Sequence, residues 1–104
     1  MQQIDPGIKV SPTPITTGEK ITVKYNGLLN KAEAKSVYLH SGFGYSNWHN
    51  IHDIKMKKKK NYWITELHVN SDDRLNLCFH DCAGNWDNNN GKNWSFEIHN
   101  GVRY

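Results

Sequence analysis

In six short stretches of this chain every second residue faces the same way in character, apolar against polar, and clusters of Gly, Asn or Asp stand between them. Successive side chains of an extended backbone point to opposite faces, so such alternation builds half-buried strands rather than helices. Ile21, Val23 and Tyr25 share one face, and Asn26-Gly27 then supplies a turn. Val37 and Leu39 alternate with Ser36, Tyr38 and His40. Ile54 and Met56 mark a short segment after Ile51. Trp63, Thr65, Leu67 and Val69 line one face, Leu75, Leu77 and Phe79 another after the turn Asn70-Ser71-Asp72-Asp73, and Trp94, Phe96 and Ile98 a last one. Residues 28–34 offer at most one helical turn. Six or seven short strands at regular spacing predict an all-β fold: one antiparallel β-sandwich domain, immunoglobulin-like or jelly-roll-like.

The 104 residues suit one domain with one modest core. Four tryptophans help a small number of side chains to fill it. The string Val10-Ser11-Pro12-Thr13-Pro14 reads as linker. The expected division is therefore a linker or disordered segment over 1–14 and a folded module over 15–104. Residues 1–6 carry neither the basic nor the apolar part of a secretory leader. Either the chain is cytoplasmic or it is a module cut from a longer one, and the linker-like string favours the second. No stretch reaches the roughly 18 apolar residues of a membrane span.

The formal charge of +3 comes from one place. Lys55, Lys57, Lys58, Lys59 and Lys60 supply five of thirteen basic residues, and without them the chain would be slightly acidic. The run reads as a solvated hairpin tip, since no nucleic-acid motif accompanies it. Cys78 and Cys82 lie too far apart along an extended strand to bridge, so they read as free thiols. His49-x-x-His52 and His80-Asp81-Cys82 lack zinc-site spacing. The stretch from Asp87 to Gly91 fails the calcium-loop pattern. No metal and no cofactor are expected. Asp81 and Asp87 read as acceptors that fix loops, not as a catalytic pair.

Two tryptophans escape the alternation. Trp48 and Trp86 sit in polar, glycine-containing loops crowded with Asn and His. A pyranose presents a patch of C–H groups that stacks on a flat indole, while its edge carries hydroxyls. Asn, Asp and His match those hydroxyls as donors and acceptors. Trp beside such residues suits a sugar, and it also suits the bases of a single nucleic-acid strand. A nucleic-acid groove would need interleaved basic residues, and only Lys92 stands in the Trp86 loop.

Longer strings carry a resemblance. Residues 37–44 (Val-Tyr-Leu-His-Ser-Gly-Phe-Gly), then Trp48, Trp63 and Thr65, then 75–81 (Leu-Asn-Leu-Cys-Phe-His-Asp), then 84–89 (Gly-Asn-Trp-Asp-Asn-Asn) and 91–96 (Gly-Lys-Asn-Trp-Ser-Phe) resemble the family 25 carbohydrate-binding modules. The likeness spans about residues 18–99. It implies a β-sandwich appended to starch-degrading enzymes that binds α-1,4-linked glucans. It further implies a stacking platform of Trp48 and Trp86 assisted by His40, with Asn88 and Asn89 as hydroxyl partners. His80 departs from the pattern, which has a small polar residue there. Ser41 departs too, where an aromatic is common, so a flanking sugar contact is expected to be weaker.

The expected function is non-catalytic binding of starch or maltooligosaccharides that targets a linked amylase-type enzyme. The expected partner is the glucan, with no nucleic acid, no membrane and a monomeric state. The alternatives are a single-stranded nucleic-acid-binding β domain and, further off, a small glycosidase.

Overall fold

The computed structural model describes residues 3–5 and 7–99 apart from 46 and 72, with side chains from residue 7 onward. Residues 1–2, 6 and 100–104 of the predicted segments, and Asp72 of the predicted turn, lie outside the described residues.

The strands are β1 (Gln3–Asp5), β2 (Ile8–Ser11), β3 (Ile15–Thr16), β4 (Lys20–Tyr25), β5 (Val37–Phe43), β6 (His49–Lys55), β7 (Lys57–Lys58), β8 (Trp63–His68), β9 (Leu75–Asp81), β10 (Trp86–Asp87), β11 (Trp94–Phe96) and β12 (Ile98–His99). One helical turn, α1 (Leu28–Lys31), follows β4. One sheet runs β1-β2-β4-β8-β7. The other runs β10-β9-β5-β6, with β11 also paired to β9. The all-β sandwich predicted from the alternation is what forms.

The alternation sets the register. In β4, Ile21, Val23 and Tyr25 point inward and are fully buried, opposite Leu67, Thr65 and Trp63 of β8. In β5, Val37, Leu39, Ser41 and Phe43 point inward, which sends Tyr38, His40 and Gly42 to the outer face. Trp63 and Trp94 are only 4% and 5% exposed, as the strand pattern required. Tyr25 stacks on Phe79 at 4.1 Å, and Trp94 meets both rings edge-on at 6.4 and 5.3 Å. Offset and edge-to-face pairs of this kind add about 0.5–1.5 kcal/mol each beyond the area they bury.

Several expectations need correction. The stretch read as linker is not one: Ser11 closes β2, which pairs with β4, and Ile8 and Val10 are buried in the core. The prolines masked this, because Pro12 and Pro14 come just after the strand ends. The Ser11-Pro12 and Thr13-Pro14 peptides are both cis. The fold is not wholly antiparallel, since β12 pairs β3 in parallel. Ser41 does not flank a sugar, because it sits on the inner face and is completely buried. Its hydroxyl has no hydrogen-bond partner there.

Candidate functional site

The outer face of the second sheet gathers the unusual residues. Antiparallel pairing sets Lys55, Tyr38, His80 and Trp86 in one cross-strand row over β6, β5, β9 and β10. The next row is Asp53, His40 and Cys78. Gly42 follows two residues beyond His40 on the same face.

Trp86 is 53% exposed although it belongs to β10 and not to an open loop. It leans on the His80 ring at 4.5 Å and stands edge-on to His40 at 5.2 Å and 84°. Trp48 is half-buried and lies 5.8 Å from His40 at 31°. Two planes at 31° and 84° to the same imidazole cannot be parallel. The indoles are therefore inclined to one another by at least the difference of those angles, with His40 between them.

Each aromatic is held from below. A Cβ on Gly42 would come within 2.8 Å of the Trp48 ring, so the missing side chain is what lets Trp48 lie on β5. Asn76 donates to the Gly44 carbonyl at 2.7 Å and accepts from the Ser95 hydroxyl, which fixes the exit of β5 toward Trp48. Gly44 has φ +122, a conformation costly for any other residue. On the other side, Asp87 turns inward beside Trp86 and is buried. It accepts from the Tyr25 hydroxyl across the sandwich and from the Leu28 N–H, and its second oxygen accepts from the Asn89 N–H. The Trp86 loop is thus tied to the core. Burial, reinforced by the Asp87 carboxylate, raises the Tyr25 phenol well above the ordinary tyrosine range.

His40 Nδ1 lies 2.8 Å from Asp53 Oδ1. An ionised carboxylate only accepts, so the hydrogen is on Nδ1, and in the neutral form of the ring Nε2 is an acceptor. Partial desolvation pushes the Asp53 carboxyl up, and the hydrogen bonds of His40 and His80 more than reverse it, leaving it below the usual carboxylate range. His80 stacks on Tyr38 at 5.1 Å and 10°.

The structure therefore brings His40, Trp48 and Trp86 together. Asn88 and Asn89 stand in the adjoining loop, where the bonds of their side chains stay inside it: Asn88 Oδ1 accepts from the Gly91 N–H, and the Asn89 amide donates to the Asn93 carbonyl. Asp81 and Asp87 act as loop acceptors, Asp81 through the Ala83 and Asn85 N–H groups. Cys78 and Cys82 are free. Sequence reasoning missed Asp53, Tyr38 and the part played by His80. Tyr38 carried a signal, being two residues from His40 on the same strand face. Asp53 becomes visible only once β6 is registered against β5.

A family model described as starch/carbohydrate-binding module (family 53) matches residues 21–77, more than half of the chain. The chain belongs to the starch/carbohydrate-binding module family 53. The matched span holds His40, Trp48 and Asp53 and ends before Trp86. The family number differs from the 25 expected from the sequence strings, while the class is the same. A family 53 module is non-catalytic, so this chain is a binding domain rather than an enzyme.

An α-amylase of Clostridium acetobutylicum is 33% identical over 97 residues. The match covers 91% of this chain and 12% of the amylase, so the chain spans about an eighth of the relative's length. Among solved structures, an iodinated family 25 module from a Bacillus halodurans amylase superposes with a TM-score of 0.57 at 18% identity, covering 82% of this chain and 89% of the other. That likeness is one of fold. Among the described residues, no helix is long and apolar enough to cross a membrane.

Proposed function

We propose that this family 53 module binds α-1,4-linked glucans on the outer face of its second sheet and so holds a linked amylase-type catalytic domain on starch outside the cell. The observation that carries the reading is the inclined Trp48–Trp86 pair with His40 between. Successive glucoses of an α-1,4 chain present their faces in different directions, and two tilted indoles suit such a chain. His40 Nε2 accepts from a hydroxyl on the ring edge. The atoms that Asn88 and Asn89 do not spend inside their loop, Asn88 Nδ2 and Asn89 Oδ1, are offered to neighbouring hydroxyls. Tethering acts through effective concentration: the enzyme stays beside an insoluble polymer between catalytic events.

Native gel electrophoresis through dissolved polysaccharide tests the class of ligand. Amylopectin in the gel is expected to retard the chain, and hydroxyethylcellulose to leave its mobility unchanged. Equal retardation by both, or by neither, would remove the starch reading.

A further inference from the structure

Two histidines converge on one carboxylate oxygen. His80 Nδ1 lies 3.3 Å from the Asp81 backbone carbonyl, and its Nε2 lies 2.7 Å from Asp53 Oδ1. Both partners are acceptors. The shorter contact is the one to Asp53, so the hydrogen of a neutral ring sits on Nε2 and is donated there, with the Nδ1 lone pair at the longer distance from the carbonyl. Once Nε2 gives up that hydrogen, Nδ1–H is free to donate to the carbonyl, which is the arrangement that orients a metal-ligating histidine through Nε2. His40 brings a second ring nitrogen to the same Asp53 oxygen, at 2.8 Å.

We propose that His40 Nδ1, His80 Nε2 and Asp53 Oδ1 form a binding site for a first-row divalent transition metal of the zinc or nickel class. The three ligand atoms all lie within 4.8 Å of one another. Around a tetrahedral ion with bonds of about 2.1 Å, ligand atoms stand roughly 3.4 Å apart, so the present 2.7 and 2.8 Å contacts have to open by about 0.6–0.7 Å. Two imidazoles and one carboxylate select zinc, nickel or copper over calcium and magnesium, which require mainly oxygen. The ligands come from β5, β6 and β9, three neighbouring strands of one sheet, and the rings are braced by Tyr38, Trp48 and Trp86. Three protein ligands leave a coordination position for water. Metal at Nδ1 also moves the His40 hydrogen to Nε2, which turns the edge of the platform from acceptor to donor. That consequence rests on the glucan reading, and the site itself does not.

The test is calorimetric titration of the chelator-stripped, untagged chain with Zn2+, with Ca2+ in parallel. One Zn2+ per chain is expected, with no binding of Ca2+. His80→Gln and Asp53→Asn should each weaken Zn2+ at least about tenfold while keeping a cooperative melt. His68→Ala, distant in the first sheet, should leave it unchanged. Ni2+ should quench tryptophan emission, because Trp86 lies close to both imidazoles, and Trp86→Phe should remove most of that quenching. Absence of Zn2+ binding would overturn the site, and so would unchanged binding in both ligand variants, which would assign the metal to exposed histidines such as His49, His52 or His99. Loss of metal binding with glucan binding intact, or the reverse, keeps the two readings separable.

Discussion

The four tryptophans divide by the face they occupy, and this division governs what each substitution does. Trp63 and Trp94 lie inside the sandwich, and truncating either to Ala should destabilise the fold by about 3–5 kcal/mol. Trp86 is half exposed, so Trp86→Ala should leave the melting temperature nearly unchanged. Trp48→Ala loses packing on Gly42 and should lower it modestly. Both outer-face variants should weaken amylopectin binding at least about tenfold, equivalent to roughly 1.4 kcal/mol per indole. A thermal melt beside a binding assay separates the two classes, and a collapse of the fold in Trp86→Ala would contradict the assignment. This division was legible from the alternation alone, because Trp63 and Trp94 fall in phase with Leu67 and Phe96 while Trp48 and Trp86 do not. The bond from His40 to Asp53 was not legible, since it joins residues thirteen apart through a strand pairing that no local pattern encodes. Ser41 misled for a related reason: whether it faces ligand or core depends on the phase of β5, and its phase is that of Leu39 and Phe43.

Among the strands, β4 and β8 were legible as strands because both carry alternation, but their pairing with each other was not. The strand β2 was not legible, since Val10-Ser11-Pro12-Thr13-Pro14 has linker composition and yet begins with a strand end. The short β10 was hidden as well: a two-residue ladder has no periodicity to detect. Its inward residue Asp87 meets the Tyr25 hydroxyl from the other sheet, and this contact ties the strand that carries Trp86 to the core. Tyr25→Phe leaves Asp87 and the Leu29 N–H without that partner and should cost about 1–3 kcal/mol. The same contact predicts an alkaline limb. The phenol is raised in the folded state, so its contribution is complete below the unfolded value near pH 10 and is lost as the pH rises beyond it. Above that point the unfolded chain has released a proton that the folded chain keeps. Stability should then fall by about 1.4 kcal/mol per pH unit from this group. Urea melts from pH 9 to 11.5 should show this slope in the wild type and a shallower one in Tyr25→Phe; equal slopes would remove Tyr25 as its source.

For the molecule as a whole, residues 57–60 of the lysine cluster lie apart from the proposed binding face, while Lys55 stands in its outer row. Lys57–Lys58 form β7 in the first sheet, and residues 59–60 turn toward β8, while the tryptophan pair lies on the second sheet. Converting residues 57–60 from Lys to Gln should leave amylopectin affinity within about twofold, and raising salt from 50 to 500 mM should do the same, since a neutral glucan releases no counterions. A steep salt slope would indicate a charged ligand. The most direct measurement of the central claim is isothermal titration calorimetry with maltotetraose and with cellotetraose. Inclined indoles flanking His40 should take the twisted α-1,4 chain and give no measurable heat with the flat β-1,4 ribbon. Equal affinity for the two sugars, or preference for cellotetraose, would contradict the account.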